Sequence, residues 1–273
     1  MPALTAAAPP DAGRILCSGW WPAESLHCVV ELDRPAEAPP DLADAAEAAW
    51  LNHLRRHPGD FDGRILHLLS WSGGGQGEGL DFRLAPMRFA FQAARRAPDL
   101  PPADRRRLPG PIGLSVIPRT ADGRLILARR SERVSIAQRS LFFFGGFGEP
   151  PACSGPFDLA GEALRELHEE LGTGFVARNV GLLGLGERPA GHQHAVFLAD
   201  LDAESDRVLA EAAKAADAFE WDRLWAFPPA ELLRLVPADL DAGESSYAFE
   251  AGRILLARHL GLPEPVAAPG DLP

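Results

Sequence analysis

Cysteine is scarce in this chain, and the three it has, Cys17, Cys28 and Cys153, lie far apart in sequence. They make no metal-ligand pair and no disulfide framework, which sets the expectation of a reducing cytoplasm. Long apolar runs are missing as well: no stretch approaches the ~20 residues that a membrane-spanning helix needs. The opening MPALTAAAPPDAGR has no basic region followed by an apolar core, so it does not read as a signal peptide. Positive charge is the third shortage. Lys and Arg number 27 against 38 Asp and Glu, a formal net charge of −11. Such a chain repels nucleic-acid backbones unless it carries a local basic patch, so neither a nucleic-acid nor a membrane partner is expected. An anionic small molecule would need bound cations or clustered arginines to enter.

What is present suffices for a core. Of 273 residues 46% are apolar and 24% charged, ordinary values for a globular chain. Residues 1–13 are rich in Ala and Pro and read as a loose, disordered tail. Residues 14–96 read as a small α+β module. Within it DLADAAEAAWLNHLRR, 41–56, repeats apolar positions at helical spacing behind Asp41 as N-cap. Strand-like runs at 64–71 and 80–84 flank SGGGQGEG. No Lys-Ser/Thr and no helix follow these glycines, so they fail as a phosphate loop and read as a hairpin connection.

Residues 97–111 hold five prolines and three consecutive arginines and read as a linker. Residues 112–262 form a denser pattern, with strand-like runs at 113–117, 124–128, 141–144 and 195–201 and helical ones at 159–171, 229–235 and 247–260. Residues 263–273 read as a second tail. Alternation of this kind predicts an α/β (α+β) layered domain.

The informative stretch is DLAGEALRELHEELG, 158–172. Asp158 suits an N-cap and Gly172 a C-terminal stop. Glu166, Glu169 and Glu170 fall at i, i+3 and i+4 and share one face, while Leu164, Leu167 and Leu171 share another. Three clustered carboxylates repel one another unless a cation neutralises them, and hard divalent ions prefer carboxylate oxygens. The same composition also suits an ordinary solvated helix face.

RELHEELG resembles the core of the Nudix signature, G-x5-E-x7-R-E-U-x-E-E-x-G-U, with Arg165, Glu166, Leu167, Glu169, Glu170 and Gly172 in order and spacing. Gly145-Gly146 after a strand-like run and the upstream DGRLILARRS are similar to the same family's paired glycines and hairpin. The sequence departs from the signature at three places. Gly146 to Arg165 spans 19 positions rather than 14, Phe157 stands where the first Glu belongs (Glu149 or Asp158 are the substitutes), and Thr173 replaces the last apolar residue.

The resemblance implies an α/β/α sandwich and a hydrolase that uses Mg²⁺ or Mn²⁺ to cleave a nucleoside diphosphate derivative. It makes Glu166, Glu169 and Glu170 metal ligands together with a carbonyl of Gly145 or Gly146. Glu166 is also the candidate general base, Arg165 holds it in place, and Glu187 or Glu220 would supply a later acidic ligand.

A longer likeness runs through Phe144-Gly145-Gly146-x-x-Glu149-Pro150, Asp158-Leu159-Ala160-Gly161, Ala49-Trp50, Phe61-Asp62, Leu66-His67 and the Arg-Phe-Ala-Phe of 88–91. It resembles the UDP-glucose pyrophosphatase branch and implies UMP and glucose 1-phosphate as products. Other nucleotide derivatives (a dinucleotide, a coenzyme A derivative, an oxidised nucleotide) and a non-catalytic ligand-binding domain are the alternatives. Relatives often dimerise, so a homodimer is compatible, although no interface signal stands in the sequence.

Among Arg129, Arg130, Arg133 and Arg139, we take Arg130 and Arg133 as substrate contacts, since guanidinium suits bidentate phosphate binding. Phe142, Phe143, Phe144 and Phe147 could stack on a base, though at least two belong to the core. Trp221 and Trp225 read as core. Gly191-His192-Gln193-His194 reads as an exposed turn rather than a zinc pair.

Overall fold

In the computed structural model the described residues are 13–75, 78–134, 137–188, 191, 193–243 and 245–265. In chain order they form β1 (Arg14–Pro22), β2 (Leu26–Val30), α1 (Ala43–Arg56), β3 (Arg64–Gly73), β4 (Leu80–Arg88), α2 (Phe89–Arg95) and α3 (Pro102–Arg107). Then come β5 (Gly113–Arg119), β6 (Leu125–Arg130), β7 (Leu141–Phe142), β8 (Gly155–Pro156), α4 (Leu159–Leu171), β9 (Ala177–Glu187) and β10 (Gln193–Leu201). The last are α5 (Ser205–Ala212), β11 (Trp221–Phe227), α6 (Pro229–Leu232) and α7 (Tyr247–Leu260).

Seven strands make the larger sheet in the order β1-β9-β10-β5-β6-β11, with β7 added on β6. Its centre is the parallel pair β5–β10. Strand alternation sends side chains to two cores. Ile126 and Ala128 of β6 face the layer that holds Leu159, Ala163, Leu167 and Leu171 of α4. Leu125 and Leu127 face the other layer, against Phe249, Leu255 and Leu256 of α7. One amphipathic helix therefore covers each face, and the expected α/β/α sandwich is what the chain builds. Leu167 is fully buried under the sheet. Leu167→Ala should lower unfolding free energy by about 2–5 kcal/mol in a urea titration.

A second sheet, β3-β4-β2-β8, carries α1 and α2 on the module that precedes the sandwich. Its hairpin β3–β4 is antiparallel, as the strand runs around the glycines predict. Two particulars differ from the sequence reading. Leu42 takes the N-cap position of α1, because a short turn at Pro40–Leu42 precedes it and Asp41 is drawn to Arg107 instead (2.8 Å). The proline-rich 97–111 contains α3 and buries Leu100 and Leu108 in the module's core.

The module and the sandwich share strands. β1 pairs with β9 in the large sheet, and β8, from the segment that lengthens the signature loop, pairs with β2 of the module. Among the described residues no helix is long and apolar enough to cross a membrane.

A carboxylate helix facing a cavity

α4 begins and ends as its sequence dictates. Asp158 accepts the Gly161 N–H (2.8 Å), and Gly172, at φ +90°, closes the helix with an N–H to the His168 carbonyl. Burial of its leucines fixes the rotation, so the polar face points towards the Gly145-Gly146 loop.

Arg165 organises that face. Its guanidinium donates to Glu166 Oε1 (2.6 Å), to Glu169 Oε2 (2.6 Å) and twice to Glu162 (2.8 and 3.2 Å). These partners, Glu162 first, raise the Arg165 pKa above the usual arginine range. Glu162 was not singled out from the sequence, although its place three residues before Arg165 is the helical spacing that finds such pairs. It also accepts the Glu149 N–H (2.8 Å), tying the loop to the helix.

Glu170 is buried at 2% exposure, and its carboxylate accepts the Gly145 N–H (2.9 Å). Withdrawal from water raises its pKa well above the carboxylate range, Arg130 opposes the shift, and Glu220 adds to it. Glu166 is pushed up to about 7, first by desolvation; Arg165 pulls it down, and Glu169, Glu162 and Glu220 push it further up. A methyl on Gly146 would stand 2.5 Å from Glu166 Oε2, so the loop backbone and this carboxylate are in close approach.

Glu166 and Gly146 line a cavity of ≈ 770 Å³ between the module and the sandwich. The structure brings Arg130, Glu149 and Glu220 to the same wall. Arg130 donates to Glu220 (2.7 Å) and lies over the Phe142 ring. Arg133 is exposed and does not line the cavity, and Arg129 is buried in pairs with Asp222 and Asp241. Glu187 pairs with Arg14 (2.5 Å) and does not line the cavity. Glu169 and Glu170 stand behind the lining, the first half-buried on Arg165.

Phe142, Phe143 and Phe147 reach the cavity, while Phe144 is fully buried. Trp221 donates its indole N–H to the Glu170 carbonyl (2.8 Å), so it supports the helix end, whereas Trp225 packs against the α7 layer. Phe61 and Phe219, 79% and 46% exposed, stand at the rim. Gln193 and His194 begin β10 rather than forming a turn, and His192 lies outside the described residues. The parallel pairing with β5 sets His194 beside Ser115, with Nε2 2.8 Å from the hydroxyl.

Among the described residues no three His, Cys, Asp or Glu side chains gather into a metal-holding group. The donor chemistry nonetheless suits a hard cation: Glu166 and Glu170 are desolvated carboxyl groups, and Glu220 raises the pKa of both. In this arrangement Arg165 and Arg130 engage the oxygens that a cation would take.

No family model matches the chain, nor does any curated protein. Among solved structures it is similar to a MutT protein from Methanosarcina mazei Go1, at 17% identity over 45% of this chain and 80% of that one, with a TM-score of 0.32. It is also similar to a mutT/nudix family protein from Listeria innocua, at 20% identity over 54% and 90%, with a TM-score of 0.34. Likeness at this level carries no functional argument, and the residues of the site must carry it.

Proposed function

We propose that the chain is a metal-dependent Nudix-type hydrolase of a nucleoside diphosphate derivative, with a UDP-glucose-like nucleotide sugar as the expected substrate. The observation that carries the reading is the Glu166 carboxylate, placed on the cavity wall against Gly146 and held by the Arg165 guanidinium (2.6 Å).

Glu166, Glu169 and Glu170 would hold Mg²⁺ or Mn²⁺, with Glu220 as the later acidic residue at the same wall. The Gly146 carbonyl accepts the Leu114 N–H (2.9 Å), which favours the Gly145 carbonyl as the backbone ligand. Such an ion would stabilise charge developing on the phosphate and lower the pKa of a water. Arg165 holds Glu166 in position. Glu166 takes the proton of the attacking water as its oxygen bonds to phosphorus and the anhydride P–O bond breaks. Arg130 orients the diphosphate. The products are a nucleoside monophosphate and a sugar 1-phosphate, UMP and glucose 1-phosphate for UDP-glucose.

The arginine ties to the carboxylates favour one second reading, a domain that binds its ligand without turnover. Phosphate release from a nucleotide-sugar panel, coupled to a phosphatase and run with Mg²⁺ and with EDTA, separates the two. We expect UDP-sugar cleavage that vanishes with EDTA, and a loss of at least ~10²-fold in Glu169→Gln and Glu170→Gln with the fold retained. Full activity in both variants would remove the metal assignment. Ligand-induced thermal stabilisation without product would leave the binding reading.

A further inference from the structure

The cavity lining carries groups that the hydrolysis does not use. Gln92, on α2, lines the cavity at 1% exposure, and its buried Oε1 accepts no hydrogen bond from the described residues. A buried carbonyl oxygen without a donor destabilises a protein, so an apolar side chain would serve better there if packing were the only demand. Ser115 and His194 line the same cavity and share their hydrogen bond. The His194 ring occupies the space that a side chain at residue 113 would fill, so Gly113 keeps that place open. Burial, with Arg188 nearby, lowers the His194 pKa to about 3, which keeps the ring neutral.

We infer that Gln92, with the Ser115–His194 pair, forms a neutral hydrogen-bonding subsite that grips the uncharged polar part of the ligand, a nucleobase N–H or a sugar hydroxyl. This deepens the hydrolase reading and rests on it for the choice of probes. Carboxylates and Arg130 on the lining suit cations and phosphate, whereas an amide, a hydroxyl and an uncharged imidazole, with Arg96 and Arg188 also on the lining, suit hydrogen-bonding groups of the ligand that carry no charge. The last torsion of glutamine is soft, so its amide can turn to meet an arriving donor. Specificity follows from the same orphan oxygen. A ligand that brings no donor leaves it unpaired, and one that brings a donor relieves it.

The test compares wild type with Gln92→Leu, and with Gln92→Met, which keeps the length of the chain, by calorimetric titration with UMP, AMP, glucose 1-phosphate and inorganic pyrophosphate. The expected result is roughly 10-fold weaker binding of the nucleotides or of the sugar phosphate, with pyrophosphate binding unchanged. Loss on the nucleotide arm assigns the subsite to the base, and loss on the sugar-phosphate arm to the sugar. The ligand-free melting temperature should hold or rise by about 2–4 °C, because the unpaired oxygen is gone. A lowered melting temperature in both variants would make Gln92 a structural residue and overturn the inference. Equal losses for all four probes, no loss for any, or no binding of any by wild type would do the same. If wild type cleaves no nucleotide sugar yet binds a probe through Gln92, the hydrolase reading falls and the subsite stands.

Discussion

Glu166→Gln should reduce metal-dependent turnover by at least ~10³-fold and, in EDTA above pH 7, make the protein more stable than wild type. The first effect follows from removing the proton acceptor, since positioned bases contribute ~10²–10⁴-fold and this one would also bind the ion. The second follows from its pKa. The folded-state value, about 7, lies above the ordinary 4.5, so the folded protein holds a proton that the unfolded chain has released. Between those values stability falls as pH rises. Above pH 7 the ionised carboxylate destabilises the metal-free fold by an amount on the order of 3 kcal/mol. Glutamine cannot ionise, so the variant should show a flatter stability curve across pH 4.5–7. Urea midpoints at a series of pH values, in EDTA, measure this directly. Parallel curves for the two proteins would show that Glu166 is not desolvated as described.

Gly145→Ala should be among the most damaging single methyl groups at the described glycines. Gly145 sits at φ +146°, a conformation that side chains rarely adopt, and an added Cβ would fall on the Leu114 carbonyl oxygen. That oxygen belongs to β5, a central strand that cannot move away cheaply. The Gly145 N–H would also be pulled from Glu170, leaving a buried carboxylate without this donor. We expect a loss of about 3 kcal/mol or more and an activity loss out of proportion to it. A urea midpoint within experimental error of wild type would show that the loop absorbs the methyl. Gly146→Ala differs in kind. Its added methyl meets the end of the Glu166 side chain, so the expected damage is to turnover more than to stability.

Much of this was legible before any coordinates. The helix at 159–171 carried its own limits in Asp158 and Gly172, and its leucine spacing announced which face would be buried. The second covering helix at 247–260 was legible from its helical apolar pattern alone. Local signals end where function depends on partners distant in sequence. Nothing near Gln92 marks it as a cavity residue, because α2 reaches the cavity only through the docking of the module. His194 looked like part of a turn because Gly191 and the polar residues around it are turn-like, and only pairing with β5 makes it the start of a strand. Arg130 and Arg133 were indistinguishable as members of a basic run; the end of β6 at Arg130 sends one to the cavity and the other to solvent. The residues at 14–22 read as part of the module because that module follows them, yet their hydrogen bonds go to β9.

The long signature loop is tied down at points outside itself. Gly148 accepts the Leu66 N–H of β3 (2.8 Å), Ser154 Oγ accepts the Leu32 N–H (2.9 Å), and Phe157 donates to the Cys28 carbonyl (2.8 Å). Between these ties β8 lies along β2. A rope moored at several posts keeps its ends in place however much slack lies between, and the extra residues here are such slack. The distance from Gly145 to Glu166 is then set by the moorings rather than by the count of residues separating them. Lengthening the loop near exposed Cys153 should leave the carboxylate helix in register with the glycines, whereas cutting a mooring on β2 or β3 should let the two drift apart in a protein that remains folded.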